Sequence, residues 1–202
     1  MHQALNYQTQ DSFLRLNDGR FRENGNCGYV LKPSPLMIHQ QLDEESQQGF
    51  RENKPVKVTI RVLCGSCLPK PKGLRTGECI SPYVRVAVFD VSNGADGEIK
   101  ETVTEYVTGV VKNNGFNPIW TRDTKYTFMI NDWAVAMLQL TVYDESYKAP
   151  DDFITSASIP ISCLRRGIRS VKLYDANNTR SAAFDFCSLL LEIKIGQGVA
   201  EI

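Results

Sequence analysis

The sequence predicts an all-β fold: eight antiparallel strands in a two-layer sandwich, preceded by a β-α-β unit. Three observations predict it. From Val56 onward, apolar and polar residues alternate in short runs, as at Val56, Val58, Ile60 and Val62 against Lys57, Thr59 and Arg61. Such alternation gives a strand one buried and one wet face. The runs are separated by Gly, Pro, Asn and Asp, most densely at Ser92-Asn-Gly-Ala-Asp-Gly97, where turns are chemically favoured. No long 3.6-residue periodicity appears in this part of the chain.

The elements follow in order. Ala4–Tyr7 reads as a short strand. Asp11 or Ser12 caps a helix through Phe13, Leu14, Leu16 and Phe21, whose spacing puts apolar side chains on one face. Asn24-Gly25-Asn26 is a turn, and Cys27–Leu31 a second strand. Residues 34–55 are rich in Gln, Glu and Asp and bracketed by Pro33, Pro35 and Pro55, which marks a solvated linker. The eight sandwich strands are Val56–Leu63, Tyr83–Val91, Thr102–Val111, Lys125–Ile130, Ala134–Tyr143, Phe153–Ile159, Ser170–Tyr174 and Ser188–Ile195. Ala134–Leu140 also suits a helical turn, but Gln139-Leu-Thr-Val-Tyr143 continues it with β-type residues.

Composition excludes several classes. Lys+Arg and Asp+Glu are both 23, so the net charge is zero, without the basic footprint of a general nucleic-acid binder. At 42% hydrophobic and 23% charged, the chain is globular and not disordered. No apolar run approaches the roughly 20 residues of a membrane span. The first residues lack a signal peptide's basic start and apolar stretch. The six cysteines are expected to be reduced thiols in a cytoplasmic protein. Cys64-Gly-Ser-Cys67 is the one CxxC, and it lacks the second ligand pair of a structural zinc site.

Several segments carry a resemblance. Asn117-Pro118-Ile119-Trp120 resembles the Asn-Pro-x-Trp signature of C2 domains, in which Asn-Pro makes the turn and the tryptophan enters the sandwich. The longer Lys112-Asn-Asn-Gly-Phe-Asn-Pro118 is similar to the C2 domain of phosphoinositide-specific phospholipase C. Ala4–Thr9, Leu16–Phe21 and Cys27–Pro33 resemble the end of that enzyme's catalytic barrel, in the family's order and spacing. Arg165–Leu173 is similar to its late strand. The resemblance implies residues 1–33 as the end of the barrel (its Y region), 34–55 as linker and 56–196 as the C2 domain. The expected fold is then an eight-stranded antiparallel C2-type β-sandwich preceded by a β-α-β remnant of a TIM-like barrel.

The resemblance also implies a chemistry, cleavage of phosphatidylinositol bisphosphate by general acid and base groups with calcium. The family's catalytic groups lie in the earlier barrel, outside this chain. His2 and His39 are the only histidines, and neither has a carboxylate or nucleophile at motif spacing. No catalytic residue is therefore assigned, and the chain alone is expected not to hydrolyse lipid. Its expected role is to dock or orient the barrel at an anionic, phosphoinositide-bearing membrane, as a cytoplasmic, peripheral membrane module. The alternative is a calcium-independent protein-interaction C2 module of an inactive phospholipase C-like protein.

C2 domains hold calcium between loops at one tip. Carried over position by position, the family's ligands fall on the Ile80 carbonyl, Asn113, Asp144 and Asp152. Ser81 and Ser146 stand where two aspartates are usual, and Glu145 and Asp151 are carboxylates nearby. Calcium takes six to eight oxygens, mostly carboxylates, so two Asp-to-Ser changes weaken this site. Two basic groups are candidates for membrane attraction without calcium: Lys70, Lys72 and Arg75, and Arg165, Arg166 and Arg169.

Overall fold

Eight strands form in the computed structural model, which describes residues 7–8, 11–32, 55–71, 77–93, 99–120, 124–145, 152–180 and 182–197. They are β1 (Val56–Ser66), β2 (Pro82–Asn93), β3 (Ile99–Val107), β4 (Lys125–Ile130), β5 (Met137–Asp144), β6 (Asp152–Pro160), β7 (Gly167–Lys172) and β8 (Ser188–Gln197). One sheet has the order β4-β1-β8-β7 and the other β3-β2-β5-β6. Every described pairing is antiparallel.

The alternation of the sequence sets the layers. Val58, Ile60 and Val62 of β1 and Val84, Val86 and Val88 of β2 all point into the core, none more than 3% exposed. Leu189, Leu191 and Ile193 of β8 meet Leu138, Leu140 and Val142 of β5 in the same cluster. β5 is buried along almost its whole length, because its outer face is covered as well. Trp120 is 4% exposed in the core, and its indole N–H reaches the Gly109 carbonyl at 2.9 Å. Burying the ring therefore leaves no orphaned donor.

The cover over β5 and β6 is α1 (Ser12–Phe21). Asp11 caps it, accepting from the Leu14 amide at 2.8 Å. The helix stands where the sequence places it, but it docks by a different face. Leu14 is buried, whereas Phe13 is 57% exposed. The docked face is Ser12, Arg15, Gly19 and Arg22, at helical spacing. Ser12 Oγ donates to Gln139 Oε1 at 2.7 Å. Arg15 lies 4.8 Å over the Phe153 ring and Arg22 3.7 Å over Tyr174. The surface beneath is the outer, polar face of a sheet, so polar groups and guanidinium-ring contacts meet it better than leucines.

Further elements differ from expectation, β7 among them, which spans Gly167–Lys172 where Ser170–Tyr174 is expected, Tyr174 forming only an isolated bridge to Ser156. Cys27–Leu31 forms no strand, and Tyr29 and Leu31 are 71% and 81% exposed. A strand needs a neighbour for its backbone groups, and among the described residues no strand pairs with this segment. Its expected partner, Ala4–Tyr7, falls largely outside the described residues. β3 spans Ile99–Val107 where Thr102–Val111 is expected. The ladder ends at Thr108 because its hydroxyl accepts from the Val84 amide, while its own amide still donates to the Val84 carbonyl. β5 begins at Met137 and not Ala134, because Asp132 Oδ1 accepts from the Ala134 and Val135 amides and holds them in a turn.

None of the six cysteines is bonded to another. Burial pushes the Cys187 thiol up to about 12. Among the described residues, no helix is long and apolar enough to cross a membrane.

Candidate functional site

The loops that join the strands at one end of the sandwich form a tip. β1 ends there, β2 begins there at Pro82, and the β5–β6 register pairs Asp144 with Asp152 there. Residues 108–118 form the middle loop. Its backbone is tied to the first loop by Gly65 N to Pro118 O (2.9 Å), Cys67 N to Phe116 O (2.8 Å) and Leu68 N to Gly115 O (3.0 Å).

The Asn-Asn-Gly-Phe-Asn-Pro segment has a visible physical reason for each residue. Asn113 takes a left-handed backbone, φ 51°, which asparagine tolerates. The Asn114 side chain closes the turn, accepting from Asn117 N at 3.0 Å and donating to Asn117 O at 2.9 Å. At Gly115 any Cβ would collide with the Ile80 side chain, so only glycine lets the loop lie this close. Ile80 is 2% exposed and anchors the first loop from below. Phe116 points outward, 78% exposed.

Two of the expected calcium positions, Asn113 and Asp144, meet at Ser81, and Asp152 stands opposite Asp144 in the β5–β6 register. Ser81 is the hub. Its amide donates to Asp144 Oδ1 at 2.6 Å, its hydroxyl accepts from the Asn113 amide at 3.1 Å, and its carbonyl accepts from the Glu145 amide at 3.1 Å. Asp144 is 8% exposed. Beside it the Lys112 ammonium pairs with the Glu145 carboxylate. Ser146 and Asp151 lie outside the described residues.

Among the described residues this arrangement shows no calcium shell. The ion needs a shell of oxygens. Here Ser81 turns an N–H toward Asp144, and a second cation, Lys112, already compensates the neighbouring carboxylate. Among the described residues, no three His, Cys, Asp or Glu side chains stand close enough together to hold a metal. Among the described residues, a carboxylate caps one loop and an ion pair ties a second loop to a third.

The candidate cations are dispersed. Lys70 follows β1 at the tip. Arg165 and Arg166 follow the other end of β6, away from Asp152, and Arg169 lies on β7. Lys72 and Arg75 lie outside the described residues, as do His2 and His39.

A two-sheet antiparallel sandwich with three loops gathered at one end, around Asn-Pro-x-Trp, defines a class. The chain belongs to the C2 domain family, which it matches over residues 56–176. Ahead of that, residues 2–35 match the Y domain of phosphatidylinositol-specific phospholipase C. The chain is 32% identical over 178 residues to 1-phosphatidylinositol 4,5-bisphosphate phosphodiesterase delta-4 of Xenopus laevis, covering 88% of this chain and 22% of that protein. It is 34% identical over 194 residues to the gamma phosphodiesterase plc-3 of Caenorhabditis elegans, covering 95% and 13%. It is also 34% identical over 172 residues to the human inactive phospholipase C-like protein 1, covering 84% and 15%. The chain thus spans about a fifth or less of the length of these relatives. A solved structure of L. pealei PLC21 superposes with TM-score 0.73 at 21% identity, over 99% of this chain and 23% of that one. At that identity the likeness speaks for the fold. These relatives are phosphoinositide phospholipases C or their inactive kin, and the chain has the Y-end-then-C2 order expected from its sequence.

Proposed function

We propose that this chain is the membrane-docking part of a phosphoinositide-specific phospholipase C. Residues 56–196 act as its C2 domain, 34–55 as linker and 1–33 as the end of its catalytic barrel. The chain orients the barrel at an anionic, phosphoinositide-bearing membrane, as a peripheral protein on the cytoplasmic side, and by itself hydrolyses no lipid. One observation carries this reading: the C2 tip presents Phe116, 78% exposed, on a loop held rigid by Asn114, Gly115 and Ser81. An aromatic side chain held out in water on an ordered turn is suited to a lipid interface, where its apolar body leaves water.

Docking proceeds without calcium. Ile80, Asn113, Asp144 and Asp152 serve the tip as structural residues, and the Lys112–Glu145 pair neutralises charge that calcium neutralises in acidic tips. The ion pair equally favours the second reading, a calcium-independent interaction module such as an inactive relative would carry.

Vesicle co-sedimentation separates the two. The docking reading expects binding to phosphatidylserine vesicles that is equal in calcium and in chelator and lost in Phe116→Ala. No binding in either condition supports the interaction module.

A further inference from the structure

The outer face of the β4-β1-β8-β7 sheet collects charge that the sequence scatters. Lys125 of β4, Arg61 of β1 and Glu192 of β8 stand in one cross-strand row, which Ile168 of β7 completes. One row on, Thr127 and Thr59 are followed by Lys194. Beyond that lie Met129 and Lys57. At the other end of the face, Lys172 stands opposite Ser188. The face therefore carries Lys57, Arg61, Lys125, Lys172 and Lys194 against a single carboxylate, Glu192. Glu192 sits between two of the cations, 3.9 Å from Arg61 and 3.2 Å from Lys194.

This is not the average surface of the molecule. The whole chain is neutral, with 23 charges of each sign. The opposite sheet's outer face holds Arg85 paired with Glu105, a further carboxylate at Glu101, and α1 laid over β5 and β6. The helix that matches the barrel's end thus occupies one side of the sandwich and four of the five cations the other, while Lys172, on the edge strand β7, also lines a cavity with Gly19, Arg22 and Glu23 of the helix side. No described element covers them: Ile168 is 62% exposed, Met129 48% and the Lys194 side chain 66%.

We propose that this face is a second membrane-contact surface, taking the headgroups of anionic phospholipids as a plane of fixed positive charge. The inference rests on the membrane-docking reading and adds where the charge lies. Four strands at a spacing of roughly 4.8 Å and about eight residues at roughly 3.3 Å make the patch on the order of 14 by 26 Å. Its cations spread in both directions. An extended acidic peptide matches a line of charge, whereas a bilayer matches a plane. The Lys172 end of the face adjoins the loop tip, through the pairing of Ser188 with Ser66 at the end of β1, and Phe186 is 79% exposed just before it. A tilted sandwich brings aromatic tip and cationic face to one surface together.

The test uses the whole chain, with chelator present and no calcium, on vesicles of phosphatidylcholine with and without phosphatidylserine. Two double variants, Lys125→Gln with Lys194→Gln and Lys57→Gln with Lys172→Gln, remove exposed side chains and leave the core untouched. Thermal melting checks the fold, and the matching Lys→Arg doubles are the rescue. Each cation near an anionic surface contributes about fivefold in partitioning, so each Gln double loses on the order of twentyfold and its salt dependence flattens. The Arg doubles bind as the parent does. If the parent binds anionic vesicles and the Gln doubles bind equally well, the face is not a lipid surface and the inference fails while docking through the tip survives. If the Gln doubles lose binding to soluble polyglutamate but keep vesicle binding, the face serves an acidic protein segment and the inference again fails. If the parent binds neither vesicle, the docking reading itself falls.

Discussion

Gly19→Ala gives a sharp test of how the helix is mounted on the sandwich. Gly19 is buried on the docked face of α1. A Cβ built there lies 2.5 Å from both Cβ and O of Ser158 and 2.8 Å from its carbonyl carbon. Carbon atoms in contact normally stay about 3.5–4.0 Å apart. The neighbour is β6 backbone in the sheet and cannot yield, so the helix must retreat by about 1 Å. Overpacking of this kind costs about 1–3 kcal/mol. Against it stands a gain of about 0.5–1 kcal/mol, because alanine suits a helix interior better than glycine. The net expectation is looser docking by up to about 2.5 kcal/mol, which weakens the Ser12–Gln139 and Arg22–Tyr174 contacts on either side. Hydrogen exchange reads this directly. The amides of α1 exchange faster, by up to roughly 70-fold over the same free-energy range, while those of β1 and β8 are unchanged. Equal or stronger protection of α1 in the variant would show that the helix does not bear on Ser158.

Other outcomes follow from the core and the tip. Gly115→Ala forces the middle loop away from Ile80 and lowers the melting temperature, and a second substitution that shortens the obstruction, Ile80→Val, recovers part of it. Ser156 is fully buried and its hydroxyl has no partner among the described residues, so Ser156→Ala is neutral or stabilising by up to about 1 kcal/mol in a denaturant melt. Cys187 titrates at about 12 in the fold against 9.0 as its ordinary value. Because the folded value is raised, the stability that the protonated thiol contributes is complete below pH 9 and is lost as pH rises toward 12, by up to about 1.4 kcal/mol per pH unit. Cys187→Ala removes that slope, and a stability–pH curve above 9 identical in both proteins would contradict it.

Much of this fold was legible in the sequence because period-two alternation is a direct image of a half-buried strand. Each of the eight strands overlaps the segment that alternation or β-type residues mark, though β3, β5 and β7 are displaced along the chain. The misses have local causes. Asp132 bends residues 134 and 135 out of β5 by accepting their amides, which residue type alone does not announce. Thr108 ends β3 through a bond to Val84, 24 positions back. The helix face was misjudged because its leucines and phenylalanines outweigh Arg15 and Arg22 on any hydropathy count, yet the surface it meets is polar. At the tip, Asn113, Asp144 and Asp152 were recognisable from the motif and from family position. The Lys112–Glu145 pair was not, since its partners lie 33 positions apart and only the loop geometry joins them. The cationic face was hidden for the same reason. Its charges fall on four strands, and nothing short of the register brings residues 57, 125 and 194 together.

The most direct measurement is the partitioning of the intact chain onto phosphatidylserine vesicles, compared in excess calcium and in excess chelator. Calcium-independent docking predicts the same partition coefficient in both, falling with added salt. Binding that appears only with calcium would mean that the tip recruits further carboxylates and that the ion pair of Lys112 and Glu145 gives way to the metal.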